Sequence, residues 1–441
     1  MPKTIKKKIE NSIEKIVNGN TKIEAGKNQI ERNRKSLSVN AILNILKQCC
    51  SILFPLISYP YVTRVLGSAG LGRYSFADSV VQYFVLLASL GIPTYAVREG
   101  ARVRNDAEKI RNLSAELFTL SLISGCVSCL VLLLLTFMVP KLRAEEVLLL
   151  ILGVRVITTV LGRDWINTIY EDFLYITARY IALQVLALLM IFLLVKDAGD
   201  YVLYTAIMLI STAGADVLNI FYTKRYVPMR LAKVHDIRRH LRPVLYLFST
   251  TIAINIYIHS DVTILGFLRS VEEVGVYTLA SKVYLSVKAL LNALIMVMIP
   301  RVSFYLGAGD RDAYLKLLRK LRRILYMIVL PSIVGTFLLA GFIMSVLGGE
   351  EYLMGVTTLR ILCIALFFAV FGCYYAQAVL VPNREEKYFF HTTVQSAIIN
   401  IVLNFLLIPL FGMNGAAITT VLAEMFVMFR CWYRARQIKV M

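Results

Sequence analysis

Residues 115–139 read AELFTLSLISGCVSCLVLLLLTFMV, and from Leu117 to Val139 they run 23 residues without an aspartate, glutamate, lysine or arginine. A helix rises about 1.5 Å per residue, so this run outreaches the roughly 30 Å hydrocarbon thickness of a bilayer. It has no polar stripe that would let one face meet water, and it reads as a helix that crosses a membrane.

Working outward, similar runs fill the chain from residue 38 nearly to its end, with 58% hydrophobic residues overall and a mean hydropathy of +0.67. Twelve spans are expected, near residues 41–61, 78–97, 115–139, 146–162, 178–195, 201–222, 244–266, 274–299, 324–347, 356–380, 388–410 and 413–433. The fold class is therefore all-α and integral to the membrane. Residues 1–37 are polar and rich in Lys, Asn and Glu, lack the apolar segment of a cleavable signal peptide, and read as a basic cytoplasmic tail.

The loop charges set the orientation. With the N-terminus inside, the inner loops and both tails carry 37 lysines and arginines, against six on the opposite loops: Arg64, Arg73, Lys141, Arg143, Lys196 and Arg269. Cytoplasmic loops hold such an excess, so both termini are expected in the cytoplasm and the number of spans is expected to be even. The net charge of +20 follows from the same loops, and no nucleic-acid partner is needed to explain it.

Two segments repeat. Gly72-Arg-Tyr-Ser-Phe-Ala-Asp-Ser79 and Gly275-Val-Tyr-Thr-Leu-Ala-Ser-Lys282 are offset by 203 residues. Each half then holds six spans in the same orientation, residues 38–235 and 236–441, which implies two parallel-repeat six-helix bundles around a central cavity. Prolines at Pro55, Pro60, Pro93 and Pro331 lie in or at the ends of spans, where they bend helices for packing or for motion.

Charges inside the spans are the candidate functional residues, because each costs several kcal/mol unless it faces a bundle interior or a wet cavity. The bases are Lys47, Arg155, Lys282, Lys288 and Arg360, and the acids are Asp216, Asp261 and Glu424. Lys288 and Glu424 fall near mid-span, whereas Lys47 and Arg360 lie close enough to the ends to snorkel. Lys282 and Lys288, six residues apart, lie about 120° apart on a helix, on the two flanks of one broad face. Bases outnumber acids, which suits a cavity for an anionic ligand, with internal pairing as the alternative. Asp261, Glu424 and Asp216 are candidates for binding a coupling ion.

Catalytic chemistry lacks residues. Cys126 and Cys129 form a CxxC inside an apolar run, with no histidine or second pair nearby, and read as packing. The seven cysteines lie almost entirely inside apolar runs, which argues against a disulfide framework. Asp310-Arg-Asp312 precedes a basic helix, where an aspartate is expected as an N-cap. No phosphate-binding P-loop, HExxH or GxSxG occurs. Neither a metal nor a cofactor is expected, and the chain does not read as an enzyme.

Several segments together resemble a known family. They are Pro60-Tyr-Val-Thr-Arg-Val-Leu-Gly67 with Gly72-Arg-Tyr-Ser-Phe-Ala77, the aromatic stretch from Trp165 to Ile176, Ser260-Asp-Val-Thr-Ile-Leu-Gly266 with Val274-Gly-Val-Tyr277, Pro300-Arg301, and Asn404 through Pro409 to Gly412, Gly415-Ala-Ala417 and Glu424. In order and spacing they resemble the bacterial oligosaccharide flippases, the O-antigen and capsule-repeat exporters of the multidrug/oligosaccharidyl-lipid/polysaccharide exporter superfamily. That resemblance implies a glycan linked to undecaprenyl diphosphate, carried from the cytoplasmic to the outer leaflet of the bacterial plasma membrane by alternating access. It also implies cationic cavity residues that hold the diphosphate, and a polysaccharide polymerase among the possible partners. A drug/cation antiporter of the same superfamily would present an acidic or aromatic cavity, and a membrane polymerase would need a sizeable catalytic loop outside. The long basic tail departs from the usual short one.

Overall fold

The computed structural model describes the backbone of residues 3–438 and the side chains of residues 39–438 other than 41, 234, 235, 250, 253, 254 and 257. The basic tail expected over residues 1–37 lies outside the described side chains. The helices in chain order are α1 (Lys3–Ser89), α2 (Ile92–Val103), α3 (Ala107–Met138), α4 (Pro140–Arg143), α5 (Glu146–Gly162), α6 (Trp165–Ile169), α7 (Phe173–Leu194) and α8 (Tyr201–Tyr222). The second half holds α9 (Val234–Leu268), α10 (Val271–Gly307), α11 (Arg311–Leu338), α12 (Ala340–Gly348), α13 (Val356–Cys373), which continues as a π-helix over Tyr374–Leu380, α14 (Glu386–Phe411) and α15 (Met413–Gln437). Among the described residues there is no strand.

Among the described residues nine helical stretches are long and apolar enough to cross a membrane, the first of them the 62 residues Ile42–Val103 of α1 and α2. A straight helix of that length would run about 90 Å, three bilayer cores end to end. It is broken at Gly67, whose φ of +66° leaves the helical region, and residues on both sides of the break line one cavity. Counting both arms of α1, the 17-residue α5 and α9 gives the twelve crossings read from the sequence. The outward-facing side chains of α3 include Leu134 and Met138, 51% and 75% exposed, as a lipid-facing surface requires. The chain is a multi-pass membrane protein.

Several helices extend past their expected bounds, α11 starting at Arg311 and giving way to α12 after Leu338 inside the run expected at 324–347, and the second span differs in a way that bears on the site. The second run, expected at 78–97, starts three turns earlier, just past Gly67, and ends at Leu90 and Gly91, both with positive φ. Its first turns carry Ser68, Arg73, Ser75, Asp78 and Ser79, because they face other protein groups rather than lipid. Ser68 and Ser79 meet Glu351 and Thr263 of the second half, and Arg73 and Asp78 pair with Glu145 and Arg155 of the first.

The repeat has a physical counterpart where α1 crosses α10. A Cβ placed on Gly72 would land on the Val271 carbonyl oxygen and lie 3.0 Å from the Gly275 nitrogen. One on Gly275 would land on the Ser68 carbonyl oxygen, 3.1 Å from the Gly72 nitrogen. The contacts are reciprocal at the same 203-residue offset, so the two helices cross backbone to backbone on a local two-fold axis. Only glycine permits that approach. The main apolar core, including Val62, Phe76, Val276 and Leu279, surrounds the crossing.

α9 belongs to both halves. Its N-terminal end lies on the side where α15 also ends, the inner side, the opposite being the outer. Through Ile237 and Val244 this inner end is part of an apolar cluster with Ile92, Leu117 and Trp165 of the first half. Toward its outer end, Ser260 donates to Asn400 of α14 at 2.7 Å.

Candidate functional site

A cavity of about 170 Å³ lies between the halves, bounded by both arms of α1 and by α8, α9 and α10. Its wall contains Pro55, Tyr59, Tyr74, Asp78, His259 and Lys282. α1 can serve it twice because of the break at Gly67, with Pro55 and Tyr59 on one arm and Tyr74 and Asp78 on the other. Ser281 and Lys282 enter through the repeat segment of α10, in the places that Asp78 and Ser79 occupy in α1.

The charges of this cavity are unevenly compensated. Asp78 accepts from Arg155 of α5 at 3.4 Å, and both side chains are about three-quarters buried. Lys282 has no hydrogen-bond or ion-pair partner among the described residues, although its side chain is open to the cavity. An ammonium set among tyrosine and serine side chains with no acid bonded to it is free to make charge-assisted hydrogen bonds to a phosphate or carboxylate.

Contacts join the walls on both sides of the cavity. Outward lies the Gly72–Gly275 crossing, reinforced by α12 and the 3-10 turn Glu350–Gly355. Thr63 Oγ1 donates to the Leu347 carbonyl at 2.7 Å and Arg64 to the Val346 carbonyl at 2.7 Å. The Ser68 amide and hydroxyl both donate to the Glu351 carboxylate, and the Tyr352 hydroxyl donates to the Gly67 carbonyl at 3.0 Å. Inward, Gly91 meets the α9 backbone so closely that a Cβ would lie 2.8 Å from the Phe248 nitrogen. Below that, Glu116 bonds Arg239 and His240 at 2.6 Å each, and Tyr95 meets the other His240 nitrogen at 2.9 Å.

The structure distributes the remaining candidates. Lys47 lies on the inner arm of α1 over the Tyr180 ring, 5.4 Å from its centroid. Arg360 is exposed, over the Phe337 ring at 5.3 Å. Neither contributes to the cavity wall. Lys288 points from α10 into a second cavity of about 160 Å³ inside the second half and forms an ion pair with Glu424 of α15. The two flanks of the α10 face therefore serve different cavities. Asp216 accepts from Thr159 at 3.3 Å and Thr158 at 3.5 Å, with no basic side chain bonded to it.

Asp261, 8% exposed, is ringed by neutral donors. Tyr277 of α10 (2.7 Å), Thr420 of α15 (2.8 Å), and Asn404 (2.7 Å) and Asn400 (3.2 Å) of α14 all donate to its carboxylate. Among the described residues no base is bonded to it, and the Asn404 side-chain oxygen has no partner. A buried carboxylate among neutral oxygens and amides is a chemical environment for a proton or an alkali cation, since hard cations take oxygen ligands.

Asp78 was absent from the candidate acids. Its run was read as starting at residue 78, which put it at the membrane edge. The available signal was the repeat: Ser281, 203 residues on, sits well inside its own span.

The sequence pattern of a polysaccharide biosynthesis protein family matches residues 37–305. A protein of Escherichia coli (strain K12) described as an O-antigen transporter is 23% identical over 402 residues, covering 90% of this chain and 95% of that one. Among solved structures, the lipid II flippase MurJ in an inward closed conformation superposes with a TM-score of 0.72 at 15% identity, over 90% of this chain and 87% of that one. An inward-facing multidrug resistance MATE transporter of the MOP superfamily gives 0.64 at 16% identity, over 88% and 98%. At these identities the two structures establish a shared fold.

Proposed function

We propose, from the premise that the chain belongs to the polysaccharide biosynthesis protein family, that it is a flippase for lipid-linked oligosaccharides. Its cargo is a glycan repeat unit on undecaprenyl diphosphate, moved from the cytoplasmic to the outer leaflet for surface polysaccharide synthesis. The observation that carries this reading is Lys282, without a partner among the described residues, in the cavity between the two halves. The match to an O-antigen transporter along nearly its whole length supports it.

The physical task explains the architecture. A glycan diphosphate cannot shed its water in lipid without a penalty of several kcal/mol per unpaired polar group, so the head must travel inside protein. The prenyl tail is apolar and stays in the bilayer. Lys282 holds the diphosphate, with Arg155 contributing when it leaves Asp78. Lys288, Lys47 and Arg360 face other surroundings, and this reading assigns them no direct contact with cargo in this conformation. The excess of inner-loop lysines and arginines supports placing both termini in the cytoplasm and the protein in the bacterial plasma membrane. A polysaccharide polymerase would consume the unit once it is outside.

The drug/cation antiporter reading shares the fold, but it needs a cavity whose free charge is negative, and the unpaired charge here is positive. Export of each negative charge is favoured by about 2.3 kcal/mol per 100 mV, inside negative. Asp261 is the best placed residue for a coupling proton or sodium. Glu424 is paired with Lys288. Asp216, which like Asp261 bonds no base among the described residues, meets only two hydroxyls at 3.3 and 3.5 Å, where Asp261 gathers four polar side chains from three helices. The test is flipping of a labelled undecaprenyl-diphosphate glycan in proteoliposomes, scored by access of a membrane-impermeant glycan-modifying enzyme. Protein-dependent access, with its ion dependence abolished in Asp261→Asn, is expected. No access with folded protein and several glycans rules the reading out.

A further inference from the structure

We infer that the second half contains a path for a small monovalent cation, separate from the central cavity, that runs from the Lys288 cavity to Asp261 and is plugged by the Lys288–Glu424 pair. It rests on the reading of Asp261 as the coupling site.

Three helices turn polar rows toward one line inside this half. On α10, Tyr277, Tyr284, Lys288 and Asn292 follow at intervals of seven, four and four residues, which keeps them within a narrow sector of a helix. On α14, Thr393, Ser396, Asn400 and Asn404 follow at three, four and four. Thr420 and Glu424 are one turn apart on α15. The bonds gather the rows at two stations one to two helical turns apart: Tyr277 and Thr420 reach Asp261, while Tyr284 reaches Glu424 at 3.2 Å beside the Lys288 ion pair.

Packing alone does not call for such rows in a bundle surrounded by lipid, where polar side chains are expensive and mark functional pathways. Two observations favour passage over a closed structural network. The line opens into a cavity of about 160 Å³, walled by Lys288, Asn292, Cys373, Thr393 and Glu424 among others. At its two ends the buried side-chain oxygens of Asn292 and Asn404 have no partner, leaving acceptors that a cation can use. The wall also includes Gln377 of the π-helix Tyr374–Leu380, a local irregularity frequent at functional sites.

The order of residues gives the direction. Along α14, which starts at Glu386, Thr393 of the cavity comes before Asn404 at Asp261. The cavity therefore lies on the side assigned above to the cytoplasm, and the path is an inner access route. Lys288 stands across it as a fixed positive charge that repels a cation until Glu424 exchanges the ammonium for the incoming ion.

Cys373 lies in the cavity wall and serves as the probe. In a variant retaining only this cysteine, a positively charged, membrane-impermeant methanethiosulfonate added from the cytoplasmic side should modify it. Lys288→Gln should accelerate that reaction several-fold. An unreactive Cys373, or one labelled only by a lipid-soluble maleimide, would overturn the path even where Asp261→Asn has abolished ion dependence. Ion dependence retained in Asp261→Asn would overturn the reading of Asp261 and the path together.

Discussion

An ammonium or guanidinium inside a membrane bundle lowers its energy by pairing with an acid, by resting over an aromatic ring near the surface, or by meeting a ligand. Lys288 takes the first course with Glu424 and Arg155 takes it with Asp78, whereas Lys47 and Arg360 take the second. Lys282 is left for the third. Lys282→Ala should remove one charge-assisted contact to a diphosphate, about 1.5–3 kcal/mol, or roughly ten- to a hundredfold in affinity. Lys282→Arg should keep most of it. Half-saturation of flipping against glycan density in the membrane reads this directly, and equal values for Lys282→Ala and wild type would remove the residue from cargo binding. From sequence Lys282 was one of five basic candidates, and depth in the span favoured Lys288. It is the pairing of Lys288 with Glu424, made across helices, that separates the two. The environment of Asp261 was not legible, because its partners come from α10, α14 and α15, between 16 and 159 residues away along the chain. No local pattern signals that they converge.

At the scale of elements, the glycine crossing decides how closely the halves can approach. Gly275→Ala would drive a methyl group onto the Ser68 carbonyl oxygen, an overpacking expected to cost about 1–3 kcal/mol. The outer side should suffer first, because α1 and α10 must move apart there to make room. Purified Gly275→Ala should melt several degrees below wild type, and Gly307→Ala, whose Cβ position has open space around it, should not. Equal melting of the two variants would mean that the crossing bears little of the contact energy. The repeat segments were visible in sequence through their shared Gly-x-Tyr opening, but their mutual contact was not. Periodicity reports which face of a helix is buried and is silent on what buries it. The same limit explains the mistaken start of the second span: serines and an aspartate facing another protein surface look like the end of a lipid-facing run. α9 shows it again, since its apolar sequence does not reveal that its inner end is rooted in one half and its outer end in the other.

For the whole molecule, alternating access requires the halves to separate on each side in turn, and the contacts on the two sides differ in what they join. The outer seal ties α1 to α10, α12 and the Glu350–Gly355 turn, elements of opposite halves, so it must break whenever the halves rock apart on the outside. The inner bonds of Glu116 and Tyr95 with Arg239 and His240 hold the inner end of α9 against α2 and α3. That end is packed in the apolar cluster of the first half and can travel with it while α9 bends farther along. Cross-linking separates these two roles. A short thiol-cleavable link between cysteines at Ser68 and Glu351 should arrest flipping, and reduction should restore it. The same link between cysteines at Tyr95 and His240 should leave flipping near the level of the unlinked variant. If flipping continued with the Ser68–Glu351 link fully formed, the outer seal would not be the gate, and cargo would have to leave without the halves separating at Gly72 and Gly275.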